Sequence, residues 1–333
     1  MSPAFLNLIE TTLNGLMTGV MYSLVALGFV LIFKASGIFN FAQGVLALFA
    51  ALTLVGFQTG QVPFAHLINA VFGSDLHKWG PGLPTFISII LTMVVMVALA
   101  FLVERYVLKY LVNQEPIILF MATIGLSYFL EGFGDLLWGA DVKVLDVGLP
   151  SGGSFWWEDF TKPWAAAGSD YYGMYIDLLD VSAAIIAIIL VLALSAFSQY
   201  TATGRALRAV ADDHQAALSV GISLRSIWVI VWSIAGFVAL VAGIMWGAKS
   251  GVQFSLSLIA LKALPVLILG GFTSIPGAIV GGLIIGVGEK LAEAYVGPLV
   301  GGAIENWFAY MLALAFLLFR PQGLYGERII ERI

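Results

Sequence analysis

The 333-residue sequence contains no cysteine and only three histidines, and just 11% of its residues are charged. The absence of cysteine excludes disulfide frameworks and thiolate chemistry. His66, His77 and His214 are too few and too scattered for a metal centre built on imidazoles, so we expect no metal site. No basic tract indicates nucleic-acid binding. Soluble domains carry about 25% charged residues, so soluble packing cannot account for this composition.

Hydrophobic residues make up 60% of the chain and are concentrated in runs whose length suits a bilayer. About twenty helical residues span roughly 30 Å, the thickness of the hydrocarbon core. Five runs carry no charge: Leu13–Phe33, Phe39–Phe57, Leu83–Val103, Val181–Phe197 and Ser226–Ala248. Four weaker candidates are Pro116–Trp138, Gly251–Leu269, Gly270–Tyr295 and Val300–Phe319. These runs predict an all-α, polytopic membrane helix bundle with eight to ten transmembrane helices.

The basic residues of the connecting segments predict the orientation of the chain. With the N-terminus outside, the inner loops and the tail collect nine of the fifteen basic residues: Lys34, Arg105, Lys109, Arg205, Arg208, Arg225, Arg320, Arg328 and Arg332. The C-terminus is then cytoplasmic, provided that Gly251–Leu269 crosses the membrane, and we expect its helix to break at Pro265. The first run is too long for a signal peptide, so we expect it to remain in the mature protein.

Small residues recur at four-residue spacing within the runs and predict close helix packing. The pairs are Gly15 and Gly19, Gly243 and Gly247, Gly277 and Gly281, and Gly282 and Gly286. Two further segments, residues 37–44 and 270–277, share a pattern: each begins and ends with Gly, has six residues in between and precedes an apolar helix. They suggest an internal repeat of the kind found in transporters, although chance similarity between glycine-rich turns explains them equally well.

The segment 199–225, between the fifth and sixth runs, predicts a short amphipathic helix on the cytoplasmic side. Helix-forming residues are dense from Arg205 to Leu218, and Gly221 supplies a stop. Its apolar face would consist of Ala206, Ala209, Val210, Ala217 and Leu218. Such a helix can lie on the bilayer surface or dock into a cytoplasmic partner, and both interpretations are open at this point.

Several motifs of the chain resemble those of one transporter family. The run Gln215-Ala216-Ala217-x-x-x-Gly221 resembles the Glu-Ala-Ala-x-x-x-Gly pattern of ABC-importer permeases, with Gln in place of Glu. The segments Gly28–Gly44, Gly204–Gly221, Leu264–Gly277 and Arg320–Leu324 together resemble the branched-chain amino-acid ABC importer permeases. The similarity extends, in order, over nearly the whole chain. Urea-importer permeases are close relatives, and the sequence does not separate the two.

The resemblance implies a single transmembrane permease domain over residues 1–333 in the bacterial inner membrane. Residues 139–180 would form an extracytoplasmic segment, and residues 199–225 a cytoplasmic coupling loop. The implied partners are a second permease subunit in a heterodimer, two cytoplasmic ATPase subunits and an extracytoplasmic substrate-binding protein. The chain has no Gly-x-x-x-x-Gly-Lys-Ser/Thr phosphate loop, so we expect it to bind no cofactor and its partners to hydrolyse ATP.

Within the coupling loop, the predicted helix should sit in a groove of an ATPase subunit. Alanines allow close approach, and charged residues can fix the register at the rim of the groove. The residues predicted to couple to the ATPase are Arg205, Arg208, Ala209, Asp212, Asp213, Ala216, Ala217 and Gly221.

Four polar residues in apolar runs are candidates for a translocation path. Lys262 either faces a cavity or a partner inside the membrane, or extends its ammonium to the interface. Glu131 lies one turn before Asp135, and glycines 132 and 134 between them predict fraying, so the pair marks either the helix exit or an acidic rim. Asn40 and Gln43 can cap backbone at a broken helix or line the path.

Two other function classes compete with an importer subunit. A partner-independent carrier or channel would fit the apolar runs, but proton-driven carriers usually hold ionisable groups deep in several spans, and here only Lys262 is a candidate. A membrane enzyme has no candidate catalytic residues here, because no Ser-His-Asp set lies within the spans, and we assign no catalytic residue.

Residues 139–180 are rich in acids and aromatics. They predict either a cap that receives the binding protein or a lid resting on the bilayer.

Overall fold

A computed structural model describes residues 3–73, 75–111, 114–152, 161, 174–212 and 214–326 of the chain. These residues form thirteen α-helices and two short 3-10 helices, and no strand beyond isolated bridges. The first helices are α1 (Pro3–Ser36), α2 (Gln43–Thr59), α3 (Ala65–Phe72), α4 (Thr85–Tyr106) and α5 (Pro116–Trp138). Then come α6 (Leu178–Tyr200), α7 (Ala202–Asp212), α8 (His214–Ser219) and α9 (Leu224–Ser250). The last are α10 (Ile259–Gly270), α11 (Ile275–Tyr295), α12 (Gly297–Val300) and α13 (Glu305–Phe319); the 3-10 helices are Leu108–Tyr110 and Phe254–Leu258.

The predicted all-α membrane bundle is confirmed. Among the described residues, α1, α4, α5, α6, α9 and α11 are long and apolar enough to cross a membrane. Three shorter apolar helices, α2, α13 and the segment 254–270, occupy the remaining predicted runs. Each of the nine apolar runs is thus a helix or contains one, in agreement with the predicted eight to ten.

Two local expectations are wrong. Pro265 does not break a helix, because α10 continues through it from Ile259 to Gly270; the irregularity lies earlier, where the 3-10 helix 254–258 meets α10. Glycines 132 and 134 do not fray α5, which remains helical to Trp138. Gly134 is buried, and a Cβ there would lie 3.3 Å from Leu52, so this glycine lets α5 approach α2 closely.

The helices divide into two compact units, both within the segment that we predicted as one domain. Unit 1 comprises Met1–Ala26, Gly148–Leu192 and Lys262–Ile333, and unit 2 comprises Leu27–Val147 and Ala193–Leu261. Each unit is therefore assembled from segments that lie far apart in the sequence.

Unit 2 is built around α2. Every residue of α2 from Gln43 to Gly56 is buried, and α4, α5, α9 and the 3-10 helix 254–258 contact it. Gly243 of α9 abuts the backbone of Ala47, where an added Cβ would overlap the carbonyl oxygen. With 17 residues, α2 spans roughly 25 Å, so it is shorter than a typical transmembrane helix but enclosed by its neighbours.

Unit 1 contains a close crossing of α1 and α11, at which two of the predicted glycine pairs meet. In α1, a Cβ on Gly15 would lie 2.7 Å from Val287 Cα, and one on Gly19 would lie 2.5 Å from the Gly282 carbonyl oxygen. In α11, a Cβ on Gly286 would lie 2.5 Å from the Gly15 carbonyl oxygen. The two backbones touch, as four-residue glycine spacing predicts.

Candidate functional site

Helices α7 and α8 form the predicted amphipathic element, and both contact α9 within unit 2. The chain is helical on both sides of residue 213, which lies outside the described residues, as does the side chain of Asp212. The buried face consists of Leu207, Val210 and Ala217, whereas Ala209 is half-buried. Leu218, which we predicted on the apolar face, is 52% exposed.

The arginines of α7 anchor this element to the preceding helix. Arg208 donates a hydrogen bond to the Ser198 carbonyl, and Arg205 donates one of 3.2 Å to the Tyr200 carbonyl. These carbonyls belong to the last turn of α6, where intrahelical partners are lacking and cations are favoured. Gly204 packs against the same turn, since a Cβ there would overlap the Ser198 carbonyl. In this chain both arginines thus stiffen the junction between α6 and α7.

Gly221 ends α8 in a left-handed conformation, with φ +86°. The Ile222 amide donates to the Ala217 carbonyl at 3.0 Å, and the Gly221 amide donates to the Leu218 carbonyl at 3.0 Å. This pair of bonds is a Schellman motif. Beside it, α8 and the following turn present an exposed surface of Gln215, Ala216, Leu218, Ser219 and Val220, which we call the α8 surface.

An ion pair missed by sequence reasoning fixes the start of α9. Arg225 Nε donates to Glu104 Oε2 at 3.1 Å, and Glu104 is 2% exposed. Glu104 belongs to the last turn of α4, so the pair ties two helices of unit 2 together at the base of the loop. The missed signal was an acid directly after the run Leu83–Val103, since buried acids are almost always paired.

Lys262 lies at the centre of a group of charges in unit 1. Its Nζ donates to Glu289 Oε1 at 3.1 Å, to Glu305 Oε1 at 3.3 Å and to the Tyr22 hydroxyl at 3.3 Å. Tyr22 donates to Glu289 Oε1 at 3.0 Å, and Lys290 Nζ donates to Glu305 Oε2 at 2.9 Å. We call these five residues the charge cluster. Two lysines and two glutamates give it no net formal charge.

The charge cluster joins side chains from α1, α10, α11 and α13. All three ammonium hydrogens of Lys262 have an oxygen within reach, and this geometry favours the interior position over extension to the interface. Glu289, which the sequence analysis missed, is 1% exposed. The two glutamates that bind Lys262 lie 27 and 43 positions away from it on other helices, so they gave no local signal.

A separate carboxylate holds α13 in place beside the charge cluster. Glu293 Oε1 accepts from the Ala303 amide at 2.9 Å, and its Oε2 accepts from the Ile304 and Glu305 amides at 2.7 and 3.0 Å. Free amides at a helix start favour a carboxylate. Glu293 therefore positions Glu305, the first residue of α13, towards Lys262.

The amides of Asn40 and Gln43 are buried, and they lie together in unit 2. Asn40 Nδ2 donates to Gln43 Oε1 at 3.4 Å, and Asn40 Oδ1 accepts from the Ala42 amide at 3.2 Å. Gln43 Nε2 donates to the Ala235 carbonyl of α9 at 3.4 Å and packs against Gly28, where a Cβ would overlap it. We call Asn40 and Gln43 the amide cluster; its bonds to backbone agree with the capping interpretation.

Glu131 is half-buried on α5, seven residues before the helix ends at Trp138. It belongs to unit 2, whereas the charge cluster belongs to unit 1. The four residues that we predicted for a path are therefore divided between units, with Asn40, Gln43 and Glu131 in one and Lys262 in the other. Among the described residues, no group of three or more His, Asp or Glu side chains could hold a metal ion.

The chain matches the family described as "Branched-chain amino acid transport system / permease component" over residues 11–320. It belongs to this family. The match agrees with the resemblance carried by the loop and glycine motifs. It also agrees with the helices long enough to cross a membrane, so the chain is a membrane permease component.

Curated relatives carry names of the same type. The chain is 28% identical to the high-affinity branched-chain amino acid transport system permease protein LivH of Escherichia coli strain K12, over 100% of both chains. It is also 28% identical to BraD of Pseudomonas aeruginosa, covering 99% of this chain and 100% of the relative. Among solved structures, PsaBC from Streptococcus pneumoniae in complex with Fab covers 92% of this chain and 89% of that chain, with 13% identity and a TM-score of 0.42.

Proposed function

We propose that this chain is the permease subunit of an ATP-driven importer that moves branched-chain amino acids across the bacterial inner membrane. The observation that supports this most directly is the family match over residues 11–320, together with relatives that are matched over their whole length and are named as branched-chain amino acid permeases. In this proposal the solute is an amino acid and not urea, and the protein does not work as a partner-independent carrier.

In the proposed assembly this chain has three kinds of partner: a second permease in a heterodimer, two cytoplasmic ATPases and an extracytoplasmic substrate-binding protein. The N-terminus lies outside and the C-terminus in the cytoplasm, as the distribution of basic residues suggests. ATP binds to the partners, since this chain lacks a phosphate loop and supplies no catalytic residue. Residues 153–160 and 162–173 of the proposed receptor-docking segment lie outside the described residues.

The α8 surface is the proposed contact with an ATPase. Ala216 is exposed there and small enough for close approach, while Ala217 packs inward and fixes the orientation of the helix. Arg205 and Arg208 bind the end of α6, so a displacement of α7 and α8 is passed to a membrane helix rather than absorbed by a flexible link. Such a contact must differ between ATPase states for coupling to occur.

The test is uptake of radiolabelled leucine by proteoliposomes that contain the complete complex. Ala216→Glu places a carboxylate on the α8 surface and should abolish both uptake and leucine-stimulated ATP hydrolysis, while membrane insertion is retained. Gly221→Pro should act similarly, because φ +86° is closed to proline. The matched control is Ala70→Glu, the same change at an exposed alanine of α3, which should transport normally.

Two results would contradict this proposal. Normal uptake by Ala216→Glu in a fully assembled complex would remove the coupling role from the α8 surface. Leucine uptake by the purified chain alone, without ATP or partners, would identify a partner-independent carrier.

A further inference from the structure

A cavity of about 280 Å³ lies in unit 2, where α2 ends, α3 begins and α5 ends. We call it the α2–α5 pocket. Its lining residues are Gln61, Val62, Ala65, His66, His77, Lys78, Leu137, Trp138, Asp141 and Lys143. The volume is just below the roughly 300–1,000 Å³ of typical ligand pockets, so it suits a small solute. In the proposed orientation this end of the unit faces outside.

Backbone hydrogen bonds fix three of the segments that line the pocket. The Val62 amide donates to the His77 carbonyl at 3.1 Å, and the Phe64 amide donates to the Leu137 carbonyl at 2.9 Å. Lys143 pairs with Val252 through two backbone hydrogen bonds of 3.0 and 2.8 Å. Because all three segments are fixed by the main chain, the pocket is a preformed part of the fold.

Two polar groups that line this pocket have no partner in the described part of the chain. Lys143 is 8% exposed, yet within the described part of the chain its ammonium has no hydrogen-bond or ion-pair partner. Gln61 Oε1 is buried and likewise without a hydrogen bond among the described residues. Buried polar groups are normally hydrogen-bonded, so a group without a partner in the chain is a candidate to bind a ligand.

Charge and apolar surface are arranged around these two groups. Asp141 is exposed beside Lys143, while Ala65 and Trp138 are buried and supply apolar surface. Burial lowers the pKa of Lys143, and attraction to Asp141 opposes this shift. A second carboxylate near Lys143 would stabilise its ammonium further. The pocket therefore offers the Lys143 ammonium to an anionic group of a ligand. It offers the Asp141 carboxylate and Gln61 Oε1 to a cationic group, and an apolar wall to a side chain.

We propose that the α2–α5 pocket binds a free α-amino acid with a small apolar side chain. The ligand's carboxylate contacts the Lys143 ammonium, and its ammonium contacts Asp141 and Gln61 Oε1. Its side chain packs against Ala65, Leu137 and Trp138. This inference rests on the proposed function for the choice of amino acid, but the site lies outside the coupling element and the charge cluster.

Other occupants predict different binding behaviour. An inorganic anion would pair with Lys143 but leave the apolar wall and Gln61 unused, and a metal ion would be repelled by the lysines. A zwitterion with an apolar side chain uses Lys143, Asp141 and Gln61 together with the apolar wall.

The experiment measures binding of radiolabelled L-leucine to the full chain, purified in lipid nanodiscs without ATPases or binding protein. Lys143→Met should weaken binding at least about tenfold, because a buried charge-assisted bond is lost. Asp141→Asn should weaken it several-fold. The control Lys109→Met removes an exposed lysine from the 3-10 helix 108–110 and should leave binding unchanged. Thermal unfolding of each variant, measured in parallel, shows whether it is folded.

Competition by leucine analogues identifies which charged groups of the ligand contact the pocket. Isocaproate, which lacks the ammonium of leucine, should compete weakly through Lys143, and isopentylamine, which lacks the carboxylate, should not compete. The proposal is overturned if the unaltered chain binds no leucine, if folded Lys143→Met binds it normally, or if phosphate displaces leucine as well as isocaproate does.

Failure of this site and failure of the proposed function give different results. If the complex imports leucine but Lys143→Met binds and imports it normally, the site is wrong and the importer stands. If the chain binds leucine through Lys143 but the complex never imports it, the site stands and the function is wrong.

Discussion

The amide cluster of unit 2 and the charge cluster of unit 1 both bury polar side chains within apolar helices, but they satisfy them differently. Asn40 and Gln43 bond to each other and to nearby backbone, with the Ala235 carbonyl as the one distant partner. Lys262 instead binds side chains that lie 27, 43 and 240 positions away. A neutral amide can use any carbonyl, whereas a buried ammonium needs an opposite charge, which only another helix can supply.

This difference predicts that the loss of one residue lowers the unfolding free energy more in the charge cluster than in the amide cluster. Lys262→Met leaves Glu289, 1% exposed, without an ammonium beside it. Removing one partner of a fully buried pair costs about 3–5 kcal/mol. Because the Lys262 side chain is itself 31% exposed, we expect the unfolding free energy in mixed micelles to fall by about 3 kcal/mol, the lower end of that range. The measurement is unfolding by SDS titration, with Lys109→Met as the exposed control.

The double variant Lys262→Met with Glu289→Gln sharpens this prediction. It removes both charges, so it should recover at least half of the lost stability, while the pair of Lys290 and Glu305 remains. Equal stability of Lys262→Met and the unaltered chain would show that the charge cluster does not hold the four helices together.

The amide cluster should respond less strongly. Gly28→Ala would push the Gln43 amide away, breaking hydrogen bonds to Asn40 and the Ala235 carbonyl at a cost of about 1–3 kcal/mol. Adding Gln43→Ala should relieve the overlap and return part of that loss. The matched control is Gly125→Ala on α5, where an added Cβ meets no atom within 4 Å. If Gly28→Ala is as stable as Gly125→Ala, the close packing of Gln43 does not matter.

The smallest effect is expected at the edge of the charge cluster. Lys290 and Glu305 pair at 2.9 Å, but their side chains are 33% and 30% exposed. Such a pair contributes about 0–1 kcal/mol, so Lys290→Gln should change the unfolding free energy by no more than that. A loss as large as that of Lys262→Met would mean that the four charges act as one unit rather than as a buried pair with an exposed partner.

Local composition and periodicity were sufficient to predict the all-α membrane class, the nine apolar runs and the amphipathic loop. The sequence also indicated close packing at Gly15, Gly19, Gly282 and Gly286, although not that these two pairs meet. The exposure of Leu218 did not follow from the sequence, because an apolar residue at the edge of a short helix faces α9 or solvent according to packing alone.

Which distant groups pair with one another follows from tertiary packing and was not predicted from the sequence. Pro265 remains inside α10, because enclosure by other helices holds the segment together where local propensity predicts a break. Glu104, Glu289 and Lys143 acquired their importance from burial beside Arg225, Lys262 and the α2–α5 pocket. Charge interactions act through space across helices, so no spacing along the chain encodes which carboxylate a buried ammonium meets.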